Sequence, residues 1–316
     1  MKKLISLLMA LALLLGVCTC AAGEEKTYSV GILQLIQHPA LDLATQGFKD
    51  ALTEKLGDRV SFDEGNASGD SNNCAQIASQ LVAKQVDLIM ANATPAMLAC
   101  ATATADIPVL ATSITNYESA MEIELTADGA TGINVSGTSD LAPLDGQAAM
   151  IQELFPDAKT VGLLYCNAEP NSIFQIKNIE GYLADLGYEC KRYGFNDSND
   201  LASVVQTATE CDVIYIPTDN TAAGNTEAIA NVVLPAGIPV IAGEEGICAG
   251  CGIATLTISY YDIGYKTGEM AYDILVNGAD IAAMPIAYAP QFTKKYNTAN
   301  AAELGVSIPE DYLPIE

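Results

Sequence analysis

The chain has 316 residues, 50% of them hydrophobic and 17% charged, enough to bury one large core or two moderate ones. Its 14 Lys+Arg against 39 Asp+Glu leave a formal net charge of -25. Phosphate backbones and anionic lipid surfaces would repel such a chain, so nucleic acid is not an expected partner.

Lys2 and Lys3 precede the apolar stretch Leu4 to Val17, which is too short for a membrane span and has the form of a secretory signal peptide. Residues 1–22 are read as that leader, and the mature protein is expected outside the cytoplasm, in the periplasm or on the outer face of the membrane. Two cleavage modes stay open: lipidation at Cys18 or Cys20, and release near Ala21 or Ala22. Cysteines 74, 100, 166, 190, 211, 248 and 251 lie beyond the leader. An odd set within apolar patterns is no dense disulfide scaffold.

The strand Tyr28 to Leu33 is followed by a helix from about Leu41, whose Leu41, Ala44, Phe48, Leu52 and Leu56 keep helical spacing. A strand near Val60, a helix carrying Ile77, Leu81 and Val82, the strand Asp87 to Met90, a helix after Pro95 and the strand Pro108 to Ala111 continue the alternation. After a strand near Gly132 to Val135, residues 136–140 are expected to cap a helix ending near Phe155. The series then restarts with Val161 to Tyr165 and runs through Pro239 to Ala242 and Ile253 to Ile258. Tyr260 to Val276 is a predicted helix, and Met284 to Tyr288 alternates as a strand. Alternating strands and helices predict parallel sheets with helices on both faces.

The two halves repeat one unit. Val86-Asp87-Leu88-Ile89-Met90 matches Cys211-Asp212-Val213-Ile214-Tyr215, and Ile107-Pro108-Val109-Leu110-Ala111 matches Ile238-Pro239-Val240-Ile241-Ala242. The offsets are 212 - 87 = 125 and 238 - 107 = 131. The expected architecture is α/β, with two similar Rossmann-like lobes joined by a three-strand hinge. Residues 24–136 with 259–286 form the N-terminal lobe, and 137–258 with 287–316 the C-terminal lobe. Ligands of open α/β sheets lie beyond the carboxyl ends of the strands, so the site is expected in the cleft between the lobes.

Thr94 is placed to cap a helix with Pro95 at its first position, which turns free N–H groups toward the cleft, beside the Asn92 amide. Such an end suits a carboxylate, although plain capping accounts for Thr94 equally well. The matching end of the second lobe is acidic, with Asp219 after one strand and Glu244 after the next. These acids would attract a cation, and capping is again the bland alternative. A donor-rich end facing an acidic end matches a zwitterion such as an α-amino acid.

The loops at His38-Pro39 and Glu169-Pro170 correspond under the 131 offset, so His38, Asn167, Glu169 and Asn171 should reach the cleft rim. His38 is the only histidine, and no metal site or other cofactor is expected. Cys248-Ala249-Gly250-Cys251 has redox spacing but precedes a strand, so a local disulfide or two free loop thiols is expected. No residue set supplies a nucleophile with its base, and no enzyme is expected.

The run Gln34-Leu35-Ile36-Gln37-His38-Pro39-Ala40-Leu41-Asp42 resembles the opening motif of the tryptophan-binding-protein-like family of ABC transporter substrate-binding proteins. Asn92-Ala93-Thr94-Pro95-Ala96, Ser136-Gly137-Thr138-Ser139-Asp140, Glu169-Pro170-Asn171-Ser172, Pro217-Thr218-Asp219-Asn220, Glu244-Glu245-Gly246 and Tyr260-Tyr261-Asp262-Ile263-Gly264-Tyr265 resemble later family segments, in order. The resemblance implies a type I periplasmic-binding fold that closes on a small molecule, an aromatic amino acid in the members that resemble this chain, and hands it to a membrane permease and its ATPase. A monomer is expected. One departure is Thr115-Asn116-Tyr117, where the family carries Thr-Asp-Pro. On this reading Asn92, Thr94 and Thr115 hold the ligand carboxylate, Asp219 and Glu244 its ammonium, and Tyr165 joins Leu35, Ile36 and Tyr117 as a flat wall. The rival expectations are an exported enzyme with Asp219 and Glu244 as acid and base, and a sensor serving a receptor.

Overall fold

A computed structural model describes residues 26–315. The leader at 1–22 and both of its cysteines lie outside the described residues. β1 (Tyr28–Gln34), α1 (Pro39–Leu56), β2 (Val60–Asn66), α2 (Ser71–Ala83), β3 (Leu88–Asn92), α3 (Thr94–Ala103), β4 (Val109–Ile114), α4 (Tyr117–Met121) and β5 (Val135–Ser139) come first. The chain then crosses through residues 140–143. Next follow α5 (Leu144–Leu154), β6 (Thr160–Cys166), α6 (Pro170–Asp185), β7 (Glu189–Phe195), α7 (Ser198–Ala208), β8 (Val213–Ile216), α8 (Asn220–Ala223), α9 (Thr226–Ala236), β9 (Val240–Ala242), α10 (Glu245–Cys251) and β10 (Ala254–Thr257). Residues 258–259 lead back to α11 (Tyr260–Leu275) and β11 (Ala287–Tyr288). Residues 289–292 then cross again to β12 (Thr293–Tyr296), α12 (Thr298–Glu303) and β13 (Leu313–Pro314).

The sheets are β11-β5-β4-β3-β1-β2 and β13-β12-β10-β9-β8-β6-β7. The first is parallel throughout, and in the second only the β10–β12 pair is antiparallel. The same order, 2-1-3-4-5, therefore occurs in both lobes, as β2-β1-β3-β4-β5 and β7-β6-β8-β9-β10. The repeated aspartates explain part of this register. Asp87 accepts the Ser29 backbone N–H at 2.8 Å, and Asp212 accepts those of Lys159 and Thr160, both at 2.8 Å. Each pins the start of its lobe's first strand to the third.

Strands β3 and β4 are buried along their whole length, as helices on both faces require. Leu41, Ala44, Phe48 and Leu52 of α1 turn inward on one stripe. Helix α11 returns from the second lobe to pack along α1, where Gly47 and Gly264 let the backbones meet. A Cβ on Gly264 would lie 2.0 Å from the Ala44 carbonyl oxygen.

Three details depart from expectation. Residues 136–139 pair as strand β5, and the next helix starts at Leu144 behind Pro143, so they cap nothing. Sheet pairing outweighs the capping propensity of Ser and Thr there, and it carries the first lobe past the expected boundary at 136. Tyr288 likewise pairs with Ser139, beyond the boundary at 286. The Cys248–Cys251 segment is helical, with both cysteines as buried free thiols on α10.

Candidate functional site

The carboxyl ends of β1, β3 and β4 face those of β6, β8 and β9 across the cleft, and between them lies a small enclosed cavity. It is bounded by His38, Leu41 and Ser113 from the first lobe, by Asn171, Thr218, Asp219, Asn220, Ala223 and Glu244 from the second, and by Asp140 and Tyr260 at the crossings. The space open to the centre of a water-sized sphere is about 10 Å³, close to the least that one water needs. The lobes are thus closed on a narrow slot. His38 Nε2 lies 3.2 Å from Asn220 Oδ1 and Thr115 Oγ1 lies 3.4 Å from Thr218 Oγ1, each pair joining one lobe to the other.

Hydrogen-bond partners decide what the slot offers. Asn220 Nδ2 donates to Glu169 at 2.7 Å, which leaves its Oδ1 to accept from His38 Nε2–H. Burial lowers the His38 pKa, so the ring is neutral and its unpartnered Nδ1 is an acceptor. Asn171 donates its amide to Glu169 at 3.2 Å and to the Thr218 carbonyl at 3.0 Å, leaving a buried Oδ1 unpartnered. The Ser113 hydroxyl is also unpartnered and sits on a backbone with φ of 58°. Such strain in a non-glycine residue is held by its surroundings and concentrates at functional sites.

Three carboxyls complete the wall. Asp140 accepts from Tyr260 Oη at 2.9 Å and Thr115 Oγ1 at 3.1 Å, and burial pushes it up to about 6 despite those bonds. Glu244 caps α10 through the Gly246 and Ile247 N–H groups, and burial pushes it up to about 7. Asp219 caps α8 through Ala222 N–H at 2.9 Å and accepts Cys166 N–H at 2.6 Å. Burial first, and the neighbouring Glu169 charge second, raise its pKa. Among the described residues, no Lys or Arg bounds the cavity. A slot with carboxyls, a bare imidazole nitrogen and a free amide oxygen matches a group that carries several N–H donors and a positive charge.

Of the nine expected site residues, His38, Asp219 and Glu244 bound the slot. Four others are buried behind it. Glu169 accepts from Asn220 and Thr221 and supports the wall, and Thr115 orients Asp140. Asn92 donates to the Leu41 carbonyl at 2.8 Å and ties α1 to β3. Thr94 is the first residue of α3, not its cap; Ala93 takes that place with φ of 87°, and the Thr94 hydroxyl caps nothing. The remaining two lie elsewhere: Asn167 is exposed and donates to Asn196, and Tyr165 packs into the α5–α6 face of the second core. Strand alternation explains Tyr165, since the residue next to a cleft-end loop can still point sideways. The expectation missed Ser113, Asp140, Thr218, Asn220 and Tyr260. All but Ser113 sit in the quoted motif runs, so the signal was present without a role attached.

Residues 29–315 match the family model described as ABC transporter substrate binding protein, and the chain belongs to that family. It is 33% identical over 304 residues to a tyrosine-binding protein of Clostridioides difficile, covering 90% of this chain and 87% of that one. Among solved structures it is similar to an ABC domain from Streptococcus pneumonia in complex with L-Trp, at 33% identity, with a TM-score of 0.86 and coverage of 90% and 97%. A ligand-free, open substrate-binding protein with adhesive properties from Clostridium difficile is also 33% identical, covers 92% and 99%, and has a TM-score of 0.69. The fold is that of type I periplasmic binding proteins, and two of these relatives are named as binding proteins.

Proposed function

We propose that the protein captures an amino acid, most specifically an aromatic one, outside the cytoplasm and delivers it to the permease and ATPase of an ABC importer. The observation that carries this reading is the acceptor set of the slot. Asp140, Asp219, Glu244, His38 Nδ1 and Asn171 Oδ1 converge from both lobes and the hinge, which suits an α-ammonium. L-Trp and tyrosine, the ligands of two of the relatives, agree with that choice. Closure works by population shift, because a ligand that touches both lobes stabilises the state in which it does so.

The chain contains no tryptophan and 14 tyrosines, so bound L-tryptophan can be excited almost alone. Titrating the mature protein should give a saturable shift of indole emission, reversed by tyrosine or phenylalanine. Absence of any shift, together with no heat on titrating those amino acids, would sink the aromatic assignment. Recovery of the amino acid unchanged after incubation separates transport from the rival acid–base chemistry of Asp219 and Glu244.

A further inference from the structure

The slot adjoins a much larger chamber on the hinge side. That chamber has about 460 Å³ open to a water-sized sphere, against about 10 Å³ in the slot, and Glu244 and Tyr260 line both. Volumes of a few hundred Å³ are typical of small-molecule sites, whereas the slot has no room for a side chain. The chamber's walls come from both lobes: Leu43 and Tyr261 on one side, Ala249 and Lys295 on the other, with Ile258 of the second crossing between them. Its polar groups include Lys295, which donates to both Glu245 oxygens at 2.8 and 2.7 Å.

We infer that this chamber receives the ligand's side chain while the slot holds its ammonium, an assignment that rests on the amino-acid reading above. The class of side chain it fits is a flat ring of phenol or indole size carrying a polar atom. Leu43, Ala249 and Ile258 offer apolar contact beside Tyr260 and Tyr261, and the Lys295–Glu245 pair offers a donor and an acceptor. The other neighbouring space, at the cleft mouth, shares only Asn220 with the slot. Its walls include Asp70, Asn72, Asn196 and Asp197, which an apolar ring would have to strip of water. A ring in the hinge-side chamber touches both lobes at once, so the group that sets specificity also drives closure.

The test is calorimetric titration of the whole mature protein with L-tryptophan, L-tyrosine and L-alanine, using Ala249→Phe to fill the chamber and Leu43→Asp to charge its wall. Ala249 is exposed and Leu43 is 49% exposed, so both variants should fold, and unchanged thermal unfolding would verify it. The expected result is a loss of aromatic affinity of about tenfold or more in each. Wild-type binding of aromatic amino acids with neither variant impaired would overturn the chamber alone. A comparable loss from Ala168→Phe at the mouth, with the chamber variants unimpaired, would move the side chain there. A wild type that binds no amino acid would end the chamber assignment together with the carrier reading.

Discussion

At the scale of single residues, the slot couples binding to protons. The Asp140 carboxyl at about 6 and the Glu244 carboxyl at about 7 both lie above their unfolded values, so the folded, unliganded protein favours their neutral forms. Their contribution to stability is fully present below pH 4 and is lost as pH rises through 6 and 7. For Asp140 alone this amounts to roughly 3 kcal/mol. The unfolding temperature without ligand should therefore fall between about pH 4 and 7, net of other titrations, and Asp140→Asn should flatten the slope. A bound ammonium favours the ionised carboxylates, so binding near pH 6.5 should release protons. Titration calorimetry in buffers of different ionisation enthalpy measures that release, and heats independent of buffer would refute it. Asp219→Asn keeps an acceptor for the α8 cap while removing the charge. Its NH2 would face one of the two backbone N–H groups that Asp219 accepts, so some stability is lost as well. It should weaken an ammonium ligand by about 2 kcal/mol or more, and equal affinity in the folded variant would remove Asp219 from the site.

Among the elements, two contacts govern closure and stability separately. Ile36, after β1, reaches across the cleft mouth to Gly224 at the end of α8, where an added Cβ would lie 3.1 Å from Ile36 Cδ1. The Gly224 φ of -75° suits any residue, so its small size matters for the approach of Ile36 and not for the backbone. Gly224→Val should hinder the closed state and weaken ligand binding about tenfold while leaving unliganded stability unchanged. Ile36→Ala in the same protein should restore affinity, and a double-mutant cycle with no coupling would dismiss this contact. Gly264→Val acts differently, because its side chain would meet the Ala44 backbone where α1 and α11 touch. Helices cannot yield there as a flexible side chain would, and a loss of about 3 kcal/mol or more in denaturant unfolding is expected.

For the whole molecule, the arrangement resembles a ligand-bound relative more than an open one. At the same 33% identity, the TM-score is 0.86 to the L-Trp complex and 0.69 to the ligand-free open structure. A change in lobe angle produces that kind of difference while each lobe keeps its fold. Ligand should accordingly reduce the radius of gyration seen by solution scattering, and an unchanged radius would argue against hinge closure. Much of this architecture was legible from the chain alone. The 125 and 131 offsets announced two copies of one α/β unit, and the copies have the same strand order because local periodicity and the pinning aspartates Asp87 and Asp212 act within each lobe. The sequence also determined that His38, Asp219 and Glu244 follow strand ends, since that is a matter of counting along the chain. Only the tertiary structure decided which of the neighbouring polar groups reach the slot. Whether Thr94 caps a helix, Tyr165 turns into the second core, or Asp140 meets Tyr260 depends on side-chain direction and on partners up to 120 residues away, and neither is encoded in local spacing.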